Sequence, residues 1–308
     1  PFDAIYPVGS FLEGIGHDGQ ERAVIVRRAL TGAVAASFEE SDRALEASLG
    51  SCRAVDFARE ELEATVVSRA HEVASSSSDD VLRGEVSARI AEVLGSWDMT
   101  RTFSRVVVSV RQRIVGAVRG MAAPEEQVRR DLTGGVAQRL GDSYHRAWND
   151  ALRLAASVGE ADGLEPMLDV DGAGERARHT AQEWTSEVTD IVRGQAQSSR
   201  VSGRLLAGGI NVVTLSLMVS VFAMTGGVTG VEVGVAGASA ALSQTILESY
   251  FGERTVRALA TQAREALERL AADSLAEVVA PVATRLDNSR EHERIDALES
   301  ALAPARGA

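Results

Sequence analysis

Lysine is absent from this chain, and all 32 of its Lys-plus-Arg positions are arginine. A phosphate-cradling P-loop and a Schiff-base site both need a lysine, so neither chemistry resides in these residues. Cysteine occurs once, as Cys52. That excludes an internal disulfide, and its place on an apolar stripe reads as a small core residue in a reducing compartment. Aromatic residues make up 4% of the chain and proline only 6 of 308 positions. Such a balance favours long helices built from Ala, Leu, Val, Arg and Glu over β-sandwiches. Basic residues never run for five or six positions, and the formal net charge is −12. No nucleic-acid partner is expected from such a surface. The histidines His17, His71, His145, His179 and His292 stand singly, without HExxH or other metal-ligand spacing. We expect no metal or other cofactor in this chain.

What the chain does have is 45% hydrophobic residues arranged with helical periodicity. Leu45, Leu49, Cys52, Val55, Ala58, Leu62, Val66 and Val73 recur mostly at three- and four-residue steps with charges between them, as an amphipathic helix requires. The run "SSSSDD" breaks this pattern, and Val86, Ile90, Val93, Trp97, Phe103, Val107, Val110, Ile114 and Val118 stripe a second helix. Pro124 with Glu125 and Glu126 marks another start, since proline needs no amide partner there and carboxylates suit the positive end of a helix dipole. Its face continues through Leu132, Leu140, Tyr144, Trp148 and Leu152. Trp184, Val188 and Ile191 lie on a further helix, and Leu259, Leu267, Val278, Val282 and Leu286 on a long one that Pro281 could kink. Ile295, Leu298 and Leu302 close the chain.

The pattern predicts an all-α fold, an elongated bundle of long amphipathic helices carrying an apolar helical hairpin. Its parts are a connector at 1–37, stalk helices at 38–158, a loop at 159–174, a stalk helix at 175–204, the hairpin at 205–247 and returning helices at 248–308. The first residues, "PFDAIYPVGS", carry neither an initiator Met nor a signal pattern, and are expected to be interior to a longer chain.

The hairpin is the main departure from a quarter-charged chain. Leu205 to Met224 carries no charge and spans about 30 Å as a helix, the hydrocarbon thickness of a bilayer. The second arm, Val233 to Leu247, is shorter and rich in small residues. Leu215, Met218, Val221 and Phe222 are the predicted lipid contacts. Gly226, Gly227 and Gly230 are the predicted turn, while Gly234, Gly237 and Ala241 let the arms approach closely. Arg193, Arg200 and Arg204 flank one end, and Arg254 and Arg257 the other. Because arginines stay on the cytoplasmic side, both ends are expected at the cytoplasmic face of the cell membrane, with lipid as partner. The competing reading is a helical hairpin buried in a soluble bundle, which Asn211, Thr214, Ser216 and Ser220 and the shorter second arm favour.

One stretch imitates an active site. In "LDVDGAG", Asp169 and Asp171 are spaced like the nucleophile and acid of haloacid-dehalogenase-type phosphatases. That chemistry needs a buried parallel strand and a magnesium ion, and the preceding "GLEPML" is too short and proline-broken for the strand. As a calcium loop it has Thr180 where a bidentate Glu is required. A solvated turn is the expectation. Ser10 likewise lacks the G-x-S-x-G setting of a hydrolase nucleophile. No catalytic residue is expected.

The segments "DDVLRGEVSARIAEVLGSWDMTRTFSRVVVSVRQRIVGAVRG" and "AQEWTSEVTDIVRGQAQSSR" and the segment from Val221 to Leu267 resemble dynamin-like GTPases of actinobacteria. In that family a "LLRGEVLARW"-type stretch follows the nucleotide-binding domain, and a "TGGLTGAEVGIAGG…SQKLLEAVFGDQAVR" core lies near the carboxy terminus. Gly226, Gly227, Thr229, Gly230, Glu232, Gly234, Gln244, Leu247, Glu248, Phe251, Gly252, Val256 and Arg257 carry the match, with Thr245 where the family often has lysine. The resemblance implies a helical stalk and membrane-contacting tip that self-associates through its helices. It places GTP and magnesium in an upstream domain that these residues do not contain. A membrane-anchored or pore-forming helical protein without a GTPase partner is the alternative.

Overall fold

The computed structural model describes residues 19–75, 124–164, 170–198, 212–225, 244 and 247–306. Every regular element among them is a helix, so the chain is all-α as its periodicity predicts. The elements are α1 (Gly19–Ser75), α2 (Pro124–Ser157), α3 (Val170–Ser198), α4 (Val212–Thr225), α5 (Glu253–Arg285) and α6 (Ser289–Arg306). The chain divides into two compact units, one of Pro1–Phe57 with Asp287–Ala308 and one of Ala58–Leu286, and α1 contributes residues to both. The predicted helix striped from Val86 to Val118 lies outside the described residues.

In the first unit α6 lies against α1. Leu45, Cys52 and Ile295 form a buried cluster with Leu49 and Leu302 packed on it. Asn288 Nδ2 donates to the Cys52 carbonyl at 3.0 Å, and His292 Nε2 sits 3.2 Å from Asp56 Oδ2. Burial pushes the Cys52 thiol above its usual range, and the negative charges of Glu291 and Asp56 add to the effect. The connector assigned to 1–37 is helical from Gly19, in one run with the stripe that follows it.

The second unit packs α2, α3, α4 and α5 on one another. Each of its longer helices turns one apolar stripe inward, as a 3.6-residue period dictates. Val128, Leu132, Leu140 and Ala151 are buried along α2, Ala177, Ala181, Trp184, Val188 and Val192 along α3, and Leu259, Ala263, Leu267, Leu275 and Val282 along α5. The alanines let helix backbones come close, and Trp184 is the largest of the fully buried side chains. Its indole Nε1 donates to the Ala263 carbonyl of α5 at 2.8 Å.

Three buried hydroxyls meet at the centre of these helices. Tyr144 Oη of α2 is 2.5 Å from Ser274 Oγ of α5 and 3.4 Å from Thr180 Oγ1 of α3, and Thr180 Oγ1 is 3.2 Å from Ser274 Oγ. Buried polar groups cost free energy unless hydrogen-bonded, so each of the three depends on the other two. At the surface, Glu187 takes two 2.7 Å bonds from Arg269, and Asp150 accepts from Arg69 at 3.0 Å.

One boundary differs from expectation. The predicted solvated turn at 168–174 extends too far, because Val170 to Gly174 already belong to α3. The Gly and Asp content argued for a loop, yet Asp171 stands in the first turn, where a carboxylate meets the positive end of the helix dipole. Pro281 lies inside α5, which continues to Arg285. At the other end of α5, Gly252 adopts φ 81 and ψ 149, a conformation nearly confined to glycine, and separates the helical segment 247–251 from α5. α2 is described from Pro124, the predicted start, onward. Arg129 bonds the Glu126 side chain there and holds its carboxyl below the usual range.

Candidate functional site

The segment that the sequence marks as distinctive is α4, "VVTLSLMVSVFAMT", which has no charged residue. A helix apolar on every side can rest only where protein or lipid covers it all round. Here α2, α3 and α5 supply the cover. Thr214 to Val221 are buried without a break, and Ala223 and Met224 beyond them are buried too. Val213, 41% exposed, and the half-buried Val212 and Phe222 are where the cover thins.

Of the four predicted lipid contacts, Leu215, Met218 and Val221 lie in the protein core and Phe222 at its margin. Gly226, Gly227, Gly230, Gly234, Gly237 and Ala241, the predicted turn and arm-packing residues, lie outside the described residues. The 14 described residues of α4 span about 21 Å as a helix. Among the described residues no helix is long and apolar enough to cross a membrane.

Polar contacts hold α4 in place, and the sequence did not single out their partners. Ser216 Oγ lies 3.1 Å from Thr189 Oγ1 of α3. Each hydroxyl also reaches a carbonyl of its own helix, Ser216 that of Val213 at 2.7 Å and Thr189 that of Thr185 at 2.9 Å. One can therefore donate across the interface while the other donates to its own backbone. From α5, Arg264 Nη2 donates to the Ala223 carbonyl at 3.0 Å. That bond ties α5 to the backbone of α4. Ser220 Oγ, in contrast, is buried with no hydrogen-bond partner among the described residues. Arg264 was legible in one respect, as an arginine between Ala260 and Leu267 on the flank of the apolar stripe. Thr189 carried no such mark.

Candidate chemistry elsewhere is sparse. An open groove is lined by Glu60, Glu63, Ala64, Val67, Ser68, His71 and Glu268. His71 Nδ1 lies 3.2 Å from Glu268 Oε1, and both side chains are exposed. No group of three or more His, Cys, Asp or Glu residues able to hold a metal occurs among the described residues. His179 stands 3.6 Å from Glu183 as an exposed helix pair. Asp171 opens α3, while Asp169 and Ser10 lie outside the described residues. Comparison with protein-family models, curated proteins and solved structures gave no match.

Proposed function

We propose that this chain is the stalk and membrane-associating tip of a dynamin-like GTPase, acting at the cytoplasmic face of the cell membrane. In this reading, an upstream domain binds GTP and magnesium, and its nucleotide-driven change reaches lipid and neighbouring copies through the helices. The observation that carries the proposal is the enclosure of a charge-free helix, α4, by three amphipathic helices. Such a helix is equally at home in a bundle or a bilayer, so opening the bundle releases a lipid-seeking element without refolding it. Residues 226–257, which resemble the family's core, follow directly. Their first part, 226–247, would supply the turn and second arm of an apolar hairpin at the end of an elongated bundle.

The helix is held by contacts that can be exchanged. The Arg264 bond to Ala223 and the Thr189 and Ser216 pair are few beside the apolar packing, and packing is what lipid can replace. A second reading has its own support. The burial of Leu215, Met218 and Val221 favours a permanent core helix in a bundle that never opens.

A reversible staple separates the two. The 3.1 Å approach of Thr189 and Ser216 suits a Thr189→Cys and Ser216→Cys pair. The oxidised double variant should fail to float with anionic liposomes, and reduction should restore flotation to the level of the unmodified chain. Equal flotation in both redox states would remove α4 as the membrane element. Absence of flotation from the unmodified chain would favour the permanent core helix.

A further inference from the structure

One histidine of the first unit is contacted by oxygen on both sides of its ring. His292 Nδ1 lies 3.1 Å from the Asn288 carbonyl, and Nε2 lies 3.2 Å from Asp56 Oδ2 of α1. A carbonyl and a carboxylate can only accept, whereas a neutral imidazole has one N–H and leaves a lone pair on its other nitrogen. Either neutral tautomer therefore sets a lone pair against an oxygen. Only the imidazolium, with a proton on each nitrogen, suits both contacts.

We propose that His292 is a proton-dependent latch between α6 and α1, engaged while its ring is charged. Both oxygens belong to the junction of the two helices. Asp56 is on α1, and Asn288 is tied to α1 by the 3.0 Å bond from its Nδ2 to the Cys52 carbonyl. The Asn288 carbonyl also accepts the backbone N–H of Glu291 at 2.9 Å and of His292 at 3.1 Å, which places the ring at the start of α6. The positive end of a helix dipole disfavours a cation there. Away from α1, a charged ring would keep that dipole and lose Asp56, so its charge favours the docked state.

The neighbouring charges leave this pairing to Asp56. On α6, Glu291 bonds Arg294 at 2.9 Å, and Asp296 stands one turn beyond His292. On α1, the Cys52 thiol lies one turn before Asp56 and is kept neutral by burial, then by the charges of Glu291 and Asp56. Arg53 and Arg59, each within a turn of Asp56, are exposed, and Arg59 bonds Glu63. Water reaches the latch, since the His292 and Asp56 side chains are 45% and 44% exposed. It therefore adjusts docking by a few-fold and is not its main support, which is the apolar cluster of Leu45, Cys52 and Ile295. By linkage, its contribution is present where a histidine is protonated and is lost as pH rises through the ordinary histidine range, about 6.5. This inference does not rest on the stalk-and-tip reading, and its test uses no lipid.

Cys52 reports the latch directly. It is 4% exposed and shares a buried cluster with Ile295 of α6, so a reagent reaches it when α6 leaves α1. Labelling of Cys52 by an uncharged disulfide is timed in the 308-residue chain and in His292→Gln, from about pH 5.5 to about pH 8. The ratio of the two rates at each pH cancels the reactivity of the exposed thiol. His292→Gln should label roughly two- to fivefold faster at the acid end and equally fast at the alkaline end. On an Asp56→Asn background, the same comparison should lose its dependence on pH. A ratio constant across the range would overturn the proposal, because His292 would then act as a neutral side chain. Full pH dependence persisting with Asp56→Asn would also overturn it, by assigning the proton to a pairing within α6.

Discussion

Leu215→Ala and Val213→Ala remove apolar atoms from neighbouring positions of one helix, and the bundle predicts very different outcomes. Leu215 is fully buried, whereas Val213 is 41% exposed. Truncating a buried leucine to alanine costs roughly 2–5 kcal/mol, as lost transfer energy plus the cavity left behind. Near the melting point each kcal/mol shifts the transition of a unit of this size by about 2–4 °C. Leu215→Ala should therefore lower the midpoint by about 5–15 °C. Val213 loses less area, and much of it already faces water, so Val213→Ala should stay within about 0.5 kcal/mol and hardly move the midpoint. Thermal unfolding followed by far-UV circular dichroism without lipid measures both. The same loss should raise liposome flotation of Leu215→Ala, because weakening the enclosed state shifts the population towards any open state that lipid can capture. Equal and small shifts for the two variants would refute the reasoning, since they would mean that Leu215 is no more enclosed than Val213.

Three further outcomes follow from named contacts. Ser220→Ala should stabilise the second unit by about 1 kcal/mol, because it removes a buried hydroxyl without a partner and substitutes the best helix former; chemical denaturation checks this, and a loss of stability would reveal a bond to Ser220. Trp184→Phe keeps most of the ring volume but loses the 2.8 Å bond to the Ala263 carbonyl, and should cost about 1–3 kcal/mol by the same measurement. Cys52 should react slowly with an aromatic disulfide at neutral pH and rapidly once denatured, because burial and then the charges of Glu291 and Asp56 favour its neutral thiol. The folded state holds this proton more tightly than the unfolded chain, so the stabilising contribution is complete below the unfolded thiol pKa and is lost as pH rises through the folded one.

The helices were legible because one physical rule, an apolar side chain every three or four residues, governs both the sequence and the packed stripe. Leu132, Leu140, Leu259 and Leu267 could be assigned from spacing alone, and all are buried. Pro124 announced its helix for an equally local reason. Legibility failed where two local rules compete. "DVDGAG" has the glycine and aspartate of a turn, but aspartate is also the residue that a helix start favours, and at Asp171 the second rule prevails. For α4, periodicity is silent, since a helix apolar on every face has no preferred side and fits lipid as well as protein. Its pins escaped detection for another reason. Nothing near Thr189 in the sequence reveals that Ser216 lies opposite, and the arginine that bonds the Ala223 carbonyl of α4 is supplied by α5, as Arg264.

The hydroxyl trio of Tyr144, Thr180 and Ser274 acts on motion as a keyway acts on a shaft. A slip of α3 by one helical turn would carry Thr180 about 5.4 Å along its axis and away from both partners, stranding hydroxyls in an apolar interior. Apolar stripes alone are more forgiving, because one alanine or leucine can replace another in the same groove. The trio thus removes gradual sliding from the movements open to α2, α3 and α5 at that level. A displacement of one of them is therefore coupled to the other two at that level.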